Sequence, residues 1–226
     1  VGMPEPAVIV EKDGPILIVT LNRPEKKNAV NCEVMCRAFD AWRELDRDDA
    51  LRVAILTGRG DTFCAGMDLS EISILSSGKP NSPWMERALA EPQLIMGAWL
   101  KTQRPAKPVI LAVEGHALAG GTEILQGTDI RVAGESARFG VTEVQRGLFP
   151  MAGSTVRLRR QIPYAVAAEM LLVGEPISAQ RAFELGLVNQ VVPPDQLMEE
   201  AHAWAREILA MSPTAIKIAK ASFSAE

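Results

Sequence analysis

The chain has 226 residues, 47% apolar and 23% charged, with a formal net charge of −4. That length holds one or two domains around a full hydrophobic core, and the mild acidity argues against wholesale nucleic-acid binding. No apolar run approaches a membrane span, the opening residues lack a basic-then-apolar export pattern, and the sparse cysteines (Cys32, Cys36, Cys64) fit a reducing compartment.

Val8 to Leu21 reads as a β-hairpin, with AVIVE and ILIVTL as strands and Lys12-Asp13-Gly14-Pro15 between them as turn residues. Asn31 is placed to cap a helix reaching about Arg47, with Val34, Ala38, Trp42 and Leu45 along one face. VAILTG at 53–58 is a short apolar strand of the kind buried on both sides. Asp68-x-x-Glu71 predicts a capping box at the next helix. From Glu71 to Leu100, Ser-Ser-Gly and Pro-Asn-Ser-Pro interrupt helical pieces, the pattern of a mobile segment lining or covering a pocket.

PVILAVEG at 108–115 is a second buried strand, and Gly120-Gly121 starts a helix to about Gln126. DIRVAG at 129–134 is a third strand, and Thr142-x-x-Gln145 is a capping-box signature. Helices are expected at 153–161, 164–173 and 179–185, the last capped by Ser178 and stopped by Gly186. LVNQVV supplies a short strand, and 195–211 and 213–223 are helical. Strand followed repeatedly by helix predicts an α/β layer architecture. One domain is expected, with a core at 1–192 and a helical C-terminal extension at 193–226.

The stretch Gly115 to Ser154 carries the chemistry. Glu123 and Glu143 each fall in a predicted first helical turn, and Gly120-Gly121 leaves backbone amides bare in front of the first. Amide donors and two carboxylates around one volume suit a reaction in which a carbonyl oxygen gains charge while protons move nearby. By spacing alone, both acids also read as ordinary first-turn residues favoured by the helix dipole. Cys32 and Cys36 share a helix face, but no further ligand completes a metal site, so packing is expected and no metal. His116, after a buried strand, reads as structural, and His202 as an exposed helix residue.

Four stretches of the chain, LNRPEKKNAVN at 21–31, FCAGMDLSEI at 63–72, residues 107–144 and GLVNQVV at 186–192, resemble the enoyl-CoA hydratase/isomerase (crotonase) superfamily. The resemblance implies a crotonase-like spiral of ββα units with a helical C-terminal region, an acyl-CoA thioester substrate from fatty acid metabolism, and trimers paired into hexamers. It implies no separate cofactor, since coenzyme A is part of the substrate; the cysteine usage, charge and hydropathy already predict a cytoplasmic protein without nucleic-acid or membrane partners. Motif positions put oxyanion-binding N–H groups at Met67 and Gly120 and the hydratase pair at Glu123 and Glu143. Isomerase relatives generally keep only the later acid. Substrate contacts are expected at Ala65, Asp68 and Leu69, and CoA phosphates near Arg23 at Lys26 and Lys27. Trp84, Met85, Met96 and Trp99 are candidates for the acyl channel. Met151 is a further expected substrate contact, and it stands where the family pattern Pro-Gly-x-Gly-Gly has glycine. Members of the family also continue past a helix such as 213–223, which implies that the C-terminal extension is incomplete.

The function expected from these residues is addition of water to a 2-enoyl-CoA, with Glu123 activating water and Glu143 supplying the Cα proton. The alternatives are a Δ3,Δ2-enoyl-CoA isomerase using Glu143, or a non-catalytic acyl-CoA-binding paralogue.

Overall fold

The computed structural model describes residues 5–223; the outermost residues of both predicted segments, 1–4 and 224–226, lie outside the described residues. The predicted hairpin is present as antiparallel β1 (Val8–Asp13) and β2 (Ile16–Leu21), joined through Gly14 at a left-handed φ of 54°. Helix α1 (Cys32–Arg47) begins at Asn31, whose side chain accepts the Val34 N–H. Its apolar face, including Val34, Ala38, Trp42 and Leu45, is buried. Strand β3 (Val53–Gly58) pairs parallel with β2.

Residues 69–98 form three short helices, α2 (Leu69–Ser77), α3 (Pro83–Ala90) and α4 (Pro92–Ala98). Proline starts the second and third of them, and Ser82 caps α3. The chain then gives β4 (Val109–Val113), β5 (His116–Leu118), α5 (Gly120–Leu125), β6 (Ile130–Gly134) and β7 (Arg138–Gly140). After a 3₁₀ turn at Glu143–Arg146 come α6 (Ser154–Gln161), α7 (Tyr164–Leu172), β8 (Ile177–Ser178), α8 (Ala179–Glu184), β9 (Gln190–Val192), α9 (Leu197–Leu209) and α10 (Pro213–Phe223).

The main sheet runs β1-β2-β3-β4-β6-β9, parallel from β2 onward, as connections through helices require. Because successive strand residues face opposite sides, Ala54 and Leu56 join the core beneath α1, while Val53 and Ile55 join Ala201 and Ala205 of α9 on the other face. A second sheet, β5-β7-β8, stands apart. Strands of two or three residues offer no readable period, and the sequence reading has none of the three.

Both predicted capping boxes are absent. Asp68 does accept the Ser70 N–H, but Glu71 accepts the N–H of Cys32 at 2.7 Å, bracing the start of α1 instead of its own helix. Thr142 makes no side-chain cap, and Gln145 donates to the Val173 carbonyl, so Glu143 opens a 3₁₀ turn. His202 is half-buried where an exposed residue was expected, and His116 is exposed on β5. No described helix is long and apolar enough to cross a membrane.

Candidate active site

Helix α5 is short and wholly buried, and close packing and hydrogen bonds fix its first turn. Gly121 packs against the Cys64 carbonyl so closely that a Cβ would lie 2.4 Å from that oxygen, and a Cβ on Gly120 would meet the Trp99 ring at 2.5 Å. Ala119, directly before the helix, holds a strained positive φ of 49° and donates its N–H to the Gly140 carbonyl. Thr122 accepts the Gly140 N–H and donates to the Ala117 carbonyl, stitching α5 to β7 and β5 of the small sheet. Gly121→Ala is therefore expected to cost roughly 1–3 kcal/mol, because backbone must move to admit the methyl. Thermal melting of that variant checks this.

The small sheet and two isolated bridges, Val30 with Met67 and Cys64 with Ala117, bring the 64–68 loop beside the start of α5. Gly66, at φ 95°, has its Cβ direction 3.3 Å from the Gly120 nitrogen. Asp68 donates to the Val30 carbonyl and Val30 to the Gly66 carbonyl, which pins Met67 between them. Among the described residues neither the Met67 nor the Gly120 N–H has a protein acceptor. The Gly120 amide is one of the orphan donors of a helix start.

These elements surround a cavity of about 390 Å³. Its walls are Ala65, Met67, Leu69 and Ile72 on one side, Ile95, Met96 and Trp99 from α4 and the residue following it, and Leu148, Phe149 and Met151 from the loop before α6. Gly120, Glu123 and Glu143 face the same space, so the two acids share one chamber.

The acids are held differently. Glu123 is buried, and its two oxygens accept the N–H groups of Ala152 at 2.9 Å and Ser154 at 3.0 Å. Burial raises its pKa above the ordinary carboxylate value, opposed by those amides. Glu143 is raised to about 7, first by burial and then by the adjacent Glu123 charge and a hydrogen bond to Glu123. Its Oε2 has no hydrogen-bond partner among the described residues. One acid is thus clamped by backbone, and the other retains a proton near neutrality.

Of the expected contacts, Ala65, Met67, Leu69, Met96, Trp99, Gly120 and Met151 line the cavity. Asp68 does not: Arg23 engages its Oδ2 through both terminal nitrogens at 3.0 Å. Lys26 and Lys27 are exposed outside the cavity, although the Lys27 carbonyl accepts the Ala65 N–H. Trp84 and Met85 also lie outside the cavity lining. Met85 is fully buried, and the Trp84 ring lies 4.9 Å from the Arg37 guanidinium, because α3 turns that face to α1. The sequence reading missed Ala152 and Ser154 as donors to Glu123; the Pro150–Ser154 departure from the family pattern marked the place but not the contact.

The family model for enoyl-CoA hydratase/isomerase matches residues 11–226. The enoyl-CoA hydratase EchA19 of Mycobacterium tuberculosis is 49% identical over 212 residues, covering 94% of this chain and 78% of that protein. The mevalonyl-coenzyme A hydratase sidH of Aspergillus fumigatus is 41% identical over 203 residues, 90% of this chain and 72% of that protein. Among solved structures, the enoyl-CoA hydratase EchA1 of Mycobacterium marinum matches with a TM-score of 0.87 and 42% identity, covering 97% of this chain and 82% of that one.

Proposed function

Because this chain belongs to the enoyl-CoA hydratase/isomerase family, we infer that it is an enoyl-CoA hydratase, adding water across the 2,3 double bond of a 2-enoyl-CoA to give a 3-hydroxyacyl-CoA. The observation that carries the reading is the pair of acids in one chamber with two unengaged amides.

In the proposed mechanism the thioester oxygen accepts the Met67 and Gly120 N–H groups. These stabilise the enolate charge that develops there, helped by the start of α5. The Glu123 carboxylate, fixed by Ala152 and Ser154, takes a proton from water as its oxygen bonds to Cβ. The electron pair of the double bond moves towards Cα and the thioester oxygen. Glu143 then gives its proton to Cα. A proton has moved to Glu123 and another has left Glu143, and transfer between the adjacent carboxyls restores the starting state. The Glu143 pKa near 7 supports its place as the acid.

Lys26 and Lys27 remain proposed contacts for the CoA phosphates, outside the acyl chamber. Assembly into trimers or paired trimers is likewise proposed, and exposed Phe149, Tyr164, Leu172 and Val173 support it. A cytoplasmic location and the absence of a separate cofactor belong to the same proposal.

The pH profile of butenoyl-CoA hydration tests the assignment. Hydration needs Glu143 protonated, so kcat/KM should fall about tenfold per pH unit well above the value near 7. It needs Glu123 ionised, and because burial raises that pKa, the acid limb should begin above the range of an exposed carboxylate. The apparent values belong to the pair. A flat profile between about pH 6 and 9 would contradict the assignment.

A further inference from the structure

We propose that Arg146 selects substrates whose acyl group ends in an anion, a carboxylate lying a few carbons beyond the double bond. This rests on the hydratase reading above. Arg146 ends the 3₁₀ turn that Glu143 begins, and both line the chamber. With three residues per 3₁₀ turn, positions i and i+3 share a face, so Arg146 follows Glu143 along one wall by a rise of roughly 6 Å.

Its charge has no use within the subunit. Among the described residues the Arg146 side chain makes no ion pair and no hydrogen bond, unlike Arg23, which is locked to Asp68, and Arg87, which grips Asp40 and Glu91. The Arg146 side chain is exposed to solvent and still borders the cavity. Beside it the wall is apolar, formed by Leu148, Phe149 and Met151. An aliphatic chain crossing that wall would reach Arg146 with its far end. A planar five-donor fork on such a rim suits a carboxylate, which it can hold through two parallel hydrogen bonds.

Hydration of butenoyl-CoA is compared with that of 2-enoyl-CoA thioesters of graded length that end in a carboxylate and of their methyl-ended isosteres. Wild type, Arg146→Ala and Arg146→Lys are assayed with each. At its best length the wild type should favour the carboxylate-ended ester over its methyl-ended isostere. Arg146→Ala should lose roughly tenfold to a hundredfold in kcat/KM on that ester, chiefly through KM, and remain near wild type on butenoyl-CoA. Arg146→Lys should recover part of the loss. Equal losses on both ester classes would assign Arg146 to coenzyme A or to folding and overturn the proposal, as would a wild type without preference. Failure of the hydratase reading would look different, since butenoyl-CoA itself would then remain unhydrated by wild type.

Discussion

Glu143→Gln will lower hydration of butenoyl-CoA by roughly a hundredfold to ten-thousandfold in kcat, the range expected when a positioned general acid is removed. The amide has the shape of the carboxyl group but no proton to give Cα. Oε2 of Glu143 has no partner among the described residues, so the substitution strips the fold of no hydrogen bond at that atom. Stability should move the opposite way to activity. The pKa of Glu143 rises from 4.5 to about 7 in the folded protein, so the fold holds a proton that the unfolded chain releases between those values. The stabilisation linked to that proton is complete below about pH 4.5 and is lost as pH rises through about 7. Glutamine is uncharged throughout. The variant should therefore melt close to wild type at about pH 4 and above it at about pH 8. Paired kinetics and melting curves check both halves, and near-wild-type turnover would remove Glu143 from the mechanism.

Glu123→Gln will lower activity over a similar range, roughly a hundredfold to ten-thousandfold, and unlike the first variant it will also weaken the fold. Both oxygens of Glu123 accept backbone N–H groups, from Ala152 and Ser154. An amide presents one oxygen and one NH₂. Whichever way it flips, a donor then faces a buried N–H, at a cost of about 1–3 kcal/mol for the unsatisfied group. The loop from Pro150 to Ser154 should shift, which makes this variant a worse mimic of its parent than Glu143→Gln. The contrast in melting temperature, with activity lost in both, is the signature expected of one clamped base and one open acid. Equal stability of the two variants would contradict that distinction.

Most of the frame was legible because its signals are local. The Asn31 cap and the apolar face of α1, the runs VAILTG and PVILAVEG, and the glycine pair before α5 each require only their neighbours in sequence. What escaped depends on partners far along the chain. Glu71 resembles a capping acid until Cys32 N–H takes it, and Asp68 resembles a ligand contact until Arg23 does. The strands β5, β7 and β8 are too short to show alternation and pair with one another across distant parts of the chain. The chamber was half visible. The motif positions of Met67, Gly120, Glu123 and Glu143 come together in one cavity, whereas Trp84 and Met85 could not be told from channel residues without knowing which way α3 faces. The amide clamp on Glu123 lies in a loop whose sequence departs from the family pattern, and only the folded chain shows that its backbone supplies it.

Two acids acting in turn on one thioester, one on water and one on Cα, leave an isotopic record. Butenoyl-CoA turned over in heavy-oxygen water and in deuterium oxide should give 3-hydroxybutanoyl-CoA carrying solvent oxygen at C3 and a single solvent-derived hydrogen at C2. Solvent hydrogen appearing in recovered enoyl-CoA, with no oxygen incorporated and no hydroxy product, would contradict paired-acid hydration.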